Sequence, residues 1–230
     1  MSQTGFPGIQ PAMLEYFVGI ALNNYREYFL STHKDYEQNV KKPLYALAEE
    51  LVPYALKIDD DMEQLPRRIV SRIRRDTRFT KDKSPYRSHM WLSFHPMSKP
   101  KWACFGLYYD ISPDCSCYGG GFYDSDPARA RWMRALLLRR QRELVQILTD
   151  PAFAAHYRIL GEDYKRIEIP EELHPALHDL YRKKSFYVEH NDGLDPGISR
   201  PEYAQEIGEG ILLLKPLYQL LTNEYGDFAE

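Results

Sequence analysis

No stretch of the 230-residue sequence approaches the ~20 consecutive apolar residues that carry a helix across a bilayer. No membrane-spanning helix is expected. Met1–Pro11 has neither a basic start nor an apolar run, so no signal peptide is expected either. Cysteine is scarce: Cys104, Cys115 and Cys117 are an odd set that cannot all pair within one chain. Cys115-x-Cys117 lacks a second pair at ligand spacing, and no metal site is predicted. These absences together predict a soluble, cytoplasmic protein with reduced thiols. Also missing are the Gly-x-Ser-x-Gly elbow of hydrolases, a glycine loop ending in Gly-Lys-Ser/Thr, and any internal repeat. No cofactor is implied.

Strong net charge is lacking too. At −3, the molecule as a whole offers no polyelectrolyte argument for nucleic acid. Its distribution is uneven, however. Arg67 to Arg87 contains nine Lys/Arg against two Asp, a local +7 that leaves the remainder near −10. A basic patch on an acidic body favours a discrete anionic target. Hydrophobic residues at 43% suffice for a substantial core, and 18 tyrosines suit positions where a ring packs while its hydroxyl finds a polar partner.

The periodicities predict a loose arm over residues 1–10, then one α+β domain over 11–230: a central antiparallel meander flanked by N- and C-terminal helices. Apolar residues from Leu14 to Phe29 fall at helical spacing, with Asn24 and Glu27 placed as a capping box. Tyr36 to Leu51 is a second predicted helix, with Pro43 expected to kink it or end a turn and Pro53 expected to stop it. Asp59–Pro66 is an acidic loop. Ile69–Arg75 suits a strand better than a helix and continues extended to Phe79. His89–His95, Trp102–Ile111 and Cys115–Tyr123 complete the meander around the Ser112-Pro113-Asp114 turn. Asp126 caps a helix reaching about Thr149, with Pro127 in its first turn. Helices at Pro151–Leu160 and Glu171–Lys183, a strand at Ser185–Glu189 and a long helix over Ile207–Tyr225 follow. His174 and His178 lie four residues apart, but Pro175 intervenes, and both read as surface or capping residues.

Most of the chemistry is concentrated between Arg72 and Tyr86. Arg72, Arg75, Arg78 and Lys83 supply forked donors and a mobile cation suited to carboxylate or phosphate. Asp76 and Tyr86 are the candidate proton carriers, with Asp76 also able to orient an arginine. The competing reading makes Arg75–Asp76 and Asp82–Lys83 structural ion pairs that fix a loop. Gly119, Gly120 and Gly121 sit inside a strand, where glycine needs a reason: a bulge, a positive φ, or close approach of a ligand or another backbone. A cradle opposite the basic segment is one such reason, with Lys184 joining it. A nucleic-acid reading would stack bases on Tyr108, Tyr109, Tyr118, Phe122 and Tyr123 beside arginines of the Arg129–Arg142 helix.

Arg72-x-x-Arg75-Asp76-x-Arg78-Phe79, followed by Asp82-Lys83-x-Pro85-Tyr86, resembles the signature of a bacterial and fungal family, domain of unknown function 2461. Asn23-Asn24 with Tyr28-Phe29, Tyr36 with Pro43-Leu44, Ile111-Ser112-Pro113, Gly119 to Gly121 with Tyr123, and Lys184-Ser185-Phe186 fall where that family has similar groups. The chain departs from the family at Ile167-Glu168-Ile169-Pro170, where a Pro-x-Gly-Tyr-like stretch is usual. The resemblance implies that the Arg72–Tyr86 stretch and the triple glycine belong together, and it supplies no activity. Two functions follow from these residues: a pocket for an anionic, phosphorylated small molecule, or a binding surface for nucleic acid or an acidic protein. Neither substrate nor oligomeric state is legible.

Overall fold

The structure is a computed structural model describing residues 5–122 and 126–226. It is α+β, with a five-stranded antiparallel sheet between helices drawn from both ends of the chain. Gly5 to Gln10 does not form the expected loose arm. Phe6 and Ile9 are buried, Ile9 N donates to Ile198 O, and Phe6 N donates to Glu50. Burying two such side chains contributes roughly 1.5–3 kcal/mol each, enough to hold a short segment down. Gly8 makes the docking possible: its φ is +82°, and a Cβ there would lie 2.3 Å from the Ser199 carbonyl.

Helix α1 (Pro11–Leu22) buries Met13, Phe17 and Ile20, and α2 (Arg26–Ser31) buries Phe29. Asn24 does not form the predicted capping box. Its amide is fully used elsewhere, donating to Tyr86 O and accepting from Tyr86 N at 2.9 Å each. A short α3 (His33–Asp35) runs into a π-helical segment, Tyr36–Lys41, and then α4 (Lys42–Ile58). Pro43 therefore sits in the first turn of α4, directly after the π-helical segment, and the chain stays helical across it. Pro53 does not stop the helix. It lies on the exposed side, where water can satisfy the freed carbonyl, while Leu44, Leu47, Leu51, Ala55 and Ile58 continue the buried stripe.

Ile69–Arg75 departs from the predicted strand. Pro66–Ile69 forms a single helical turn, α5, and the chain beyond it is extended but paired only at isolated bridges. The strands are β1 (Met90–Phe94), β2 (Gly106–Ile111), β3 (Ser116–Phe122), β4 (Arg158–Leu160) and β5 (Phe186–Gly193), in the order β1-β2-β3-β5-β4. The meander is thus present, with β5 and a missed β4 added beside β3. Tyr123 lies outside the described residues. The predicted helix to Thr149 breaks at Arg140 into α6 (Pro127–Arg139) and α7 (Gln141–Leu148), with Asp126 capping Ala128 N as expected. α8 (Pro151–His156) and α9 (His178–Arg182) are short. The C-terminal stripe is likewise two helices, α10 (Tyr203–Leu212) and α11 (Lys215–Gly226), since Pro216 suits a first turn rather than a helix interior.

The triple glycine is explained by crowding. A Cβ on Gly119 would sit 1.9 Å from Val188 O, one on Gly121 2.3 Å from the Tyr187 Cβ, and one on Gly120 2.5 Å from the Phe105 ring. Of the reasons weighed, close approach of another backbone is the one observed. None of the three has a positive φ, and the sheet's irregularity falls at Ser116/Cys117 instead.

Candidate functional site

The residues from Val70 to Arg87 leave β1 and return to it as one loop. Ser71 N donates to Trp91 O, Arg87 N to Ile73 O and Arg75 N to Pro85 O, with Val70 bridging Leu92 and Arg74 bridging Tyr86. Tyr86 anchors the return. Its ring is buried, stacks on Phe29 at 4.4 Å, and lies under the Arg74 guanidinium at 6.0 Å. A phenol so committed to packing does not fit the expected proton carrier.

The loop tip is closed by its own charges, with pairings different from those predicted. Arg75 pairs with Asp82, and Arg78 grips Asp76 through Nε and Nη2. Asp82 also accepts from the Ser84 amide and hydroxyl, and these bonds, then Arg75, hold its carboxyl down at about 2. Arg78 holds Asp76 below the ordinary carboxylate range, which makes it a weak base. Lys83 Nζ is spent on Thr77 O at 2.8 Å. Arg78 and Lys83 therefore fasten the loop and do not point to a common ligand. The arginine side chain of Arg78 is 76% exposed.

A groove of about 780 Å³ opens between this loop, α5 and β1. Arg67, Arg68, Arg72, Arg74, Arg75, Arg87 and Lys101 line it, together with Trp91, Ser93 and His95. Only Glu63 and Asp76 oppose them. Glu63 is occupied by Arg68 and by the amides of Gln64 and Leu65. Among the described residues no carboxylate lies within 4.0 Å of Arg67, Arg72, Arg74, Arg87 or Lys101. Arg87 packs over the Trp91 ring at 4.8 Å, and its buried Nε has no partner. Burial, then the neighbouring Arg75, lowers its pKa. A second hollow of about 550 Å³ adjoins, sharing Arg75, Asp76, Arg87 and Trp91 and reaching Asn24, Ser88 and His89.

Of the predicted ligand residues, Arg72 and Arg75 reach the groove. Gly119, Gly120 and Gly121 do not: β3 lies two strands in from β1, and the glycines are buried against β5 and Phe105. Lys184 stands apart as well, 3.7 Å from Glu162 and over Tyr164. Tyr108, Tyr109, Tyr118 and Phe122 are buried, so they offer no face for bases. Four of the arginines between 129 and 142 are committed as well, while Arg131 and Arg142 are exposed. Arg129 is buried and bonded to Trp102 O, Arg139 and Arg140 meet Glu224, and Arg134 lies over Tyr164 and Tyr181.

A second polar constellation, which no sequence motif marks, lies between β3, β5, α8 and α10. His156 and His190 stack at 4.0 Å and 9°. His190 Nδ1 faces His156 O and its Nε2 faces Asp192 Oδ1, both at 2.8 Å. Both partners are acceptors, so the assigned state that satisfies them is the imidazolium. Its pKa is accordingly raised, chiefly by Asp192. Tyr203 donates to the other Asp192 oxygen at 2.7 Å, Ser116 links Tyr203 to Tyr109, and Tyr118 meets His156 Nε2 at 2.8 Å. Burial, then His190, lowers the His156 pKa. A hollow of about 360 Å³ lies over this network. The only sequence trace is Gly210 within α10, where a Cβ would lie 2.5 Å from the Tyr118 hydroxyl and 2.7 Å from His156 Nε2.

Fold and site together define an α+β protein with an arginine-rich groove at the β1 edge of an antiparallel sheet. The chain belongs to the conserved hypothetical protein (DUF2461) family, whose model matches residues 12–220. No curated protein matches it.

Proposed function

We propose that the groove binds an anionic, phosphorylated small molecule. The observation that carries this reading is the imbalance at its wall: seven cationic side chains face one cavity, and both opposing carboxylates are already bonded. Like charges brought together without counterions repel one another, and a bound oxyanion relieves that repulsion. Arginine forks supply matched donors for phosphate oxygens. Arg72, Arg74 and Arg87 take the direct contacts, while Arg78, Lys83 and Asp82 hold the loop that presents them. With Asp76 acidified and Tyr86 buried, the reading is one of binding, and no proton carrier is assigned.

The test is calorimetric titration of pyrophosphate and a panel of sugar phosphates and nucleotides into the wild type, R72A and R87A. Loss of one charge-assisted contact weakens binding about tenfold. Affinity unchanged in both variants rejects the groove. A second reading, single-stranded nucleic acid, is favoured by the exposure of Trp102 (65%), next to Lys101, and Phe79 (90%) at the loop tip. It predicts that oligonucleotides outbind mononucleotides and that W102A and F79A weaken them.

A further inference from the structure

His95 follows β1 directly, lines the groove, and is 7% exposed. Neither of its ring nitrogens has a hydrogen-bond partner. Its backbone is fixed, since Glu63 N donates to His95 O at 3.0 Å and Met62 bridges Pro96. The ring is buried on this fixed backbone, and an orphaned imidazole of this kind is a costly arrangement unless something else bonds to it. The charged groups around it are Glu63 on the preceding loop, Arg67 and Arg68 on α5, and Lys101 on the short turn before β2.

We propose that His95 is the proton-linked contact of the groove: a doubly charged tetrahedral oxyanion accepts an N–H from this ring and binds with uptake of one proton from solvent onto its free nitrogen. The inference rests on the groove reading and adds the charge state of the ligand and a pH dependence to it. The proton's source is bulk buffer, and no bond other than N–H is made. Without an anion, burial disfavours the imidazolium and outweighs the opposing influence of the residue's own backbone; Lys101 adds to the effect of burial and Glu63 works against it. A dianion placed among Arg72, Arg87 and Lys101 reverses the local field, so the second proton becomes favourable. The same ring then supplies a donor to the ligand and a positive charge opposite it. Phosphate monoesters fit this description in their dianionic form.

Sulfate is the discriminating probe, because it stays a dianion between about pH 5.5 and pH 8, where histidine titrates. Calorimetry in buffers of different ionisation heat is expected to show uptake approaching one proton per sulfate. Affinity should rise by up to about tenfold per pH unit as pH falls through that window. In H95Q, sulfate binding should persist more weakly with the proton uptake abolished. The His95 imidazole resonances of the wild type should also move with sulfate, a readout that needs no variant to fold. Uptake unchanged in H95Q, pH-independent binding, or a His95 signal indifferent to sulfate overturns this inference and leaves the groove intact. A ring bonded only to a buried water in a sulfate-soaked crystal overturns it too. Absence of sulfate and pyrophosphate binding altogether overturns the groove reading itself.

Discussion

Two polar regions of this molecule use the same kinds of side chain to opposite ends. Around His190, every hydrogen-bonding group named has a partner: two acceptors for the ring, two donors for Asp192, and a hydroxyl chain leading back to buried Tyr109. Around His95 the ring is orphaned, Arg87 Nε is orphaned, and five cations lack a carboxylate among the described residues. A satisfied network is complete without a ligand and ties β3, β5, α8 and α10 together. An unsatisfied one carries a cost that the proposed bound anion would relieve. Stacked histidines and perturbed pKa values attract attention to the first region, but the missing partners point to the second.

The comparison breaks most visibly at Asp192. Its replacement by alanine strands a half-buried imidazolium and leaves the Tyr203 hydroxyl with Ser116 alone, and should cost about 3 kcal/mol in urea unfolding while leaving anion binding unchanged. A cost below about 1 kcal/mol would mean the network is not structural. Gly210→Ala drives a methyl into the Tyr118–His156 contact and should cost about 1–3 kcal/mol, with displaced His156 resonances as the local sign.

The pH profile sharpens the same contrast. The raised pKa of His190 contributes stability that is complete below its unfolded value of about 6.5 and is lost as pH rises through the higher folded value. Asp192 works in the other sense. Burial opposes its ionisation, but His190 and Tyr203 outweigh that and lower its pKa. Its contribution is present above about 3.9 and lost as pH falls through the lower folded value. The stability difference between wild type and D192N should therefore be widest between about pH 4 and pH 6.5 and shrink above neutrality. A difference that is flat across this range contradicts the imidazolium assignment. The smallest effect belongs to the groove: R67A and R72A should change stability by less than about 0.5 kcal/mol, because those side chains hold nothing in place.

These differences also show which features the sequence carried. Local signals were legible: the helical stripe through Leu44, Leu47 and Leu51, the Asp126 cap, the β1–β3 meander, and the charge excess that marks the region of the groove. Long-range partnerships were not. Asn24 resembles a cap until Tyr86, 62 residues away, is seen to occupy its amide. Arg78 and Lys83 resemble ligand residues until the loop folds back on them. His95 and Lys101 carried no local mark, because what distinguishes them is shared burial beside arginines from another segment. The glycines suggested a cradle because spacing along a chain does not show which neighbouring strand crowds it.

The most direct test of the central claim compares the two regions in one sample. Titrating pyrophosphate into the protein labelled at histidine and tryptophan, and following the imidazole and indole resonances, reads both at once. The account predicts that His95 and Trp91 shift together and saturably, while His156 and His190 stay still. Movement of His156 and His190 with His95 and Trp91 unchanged would contradict it.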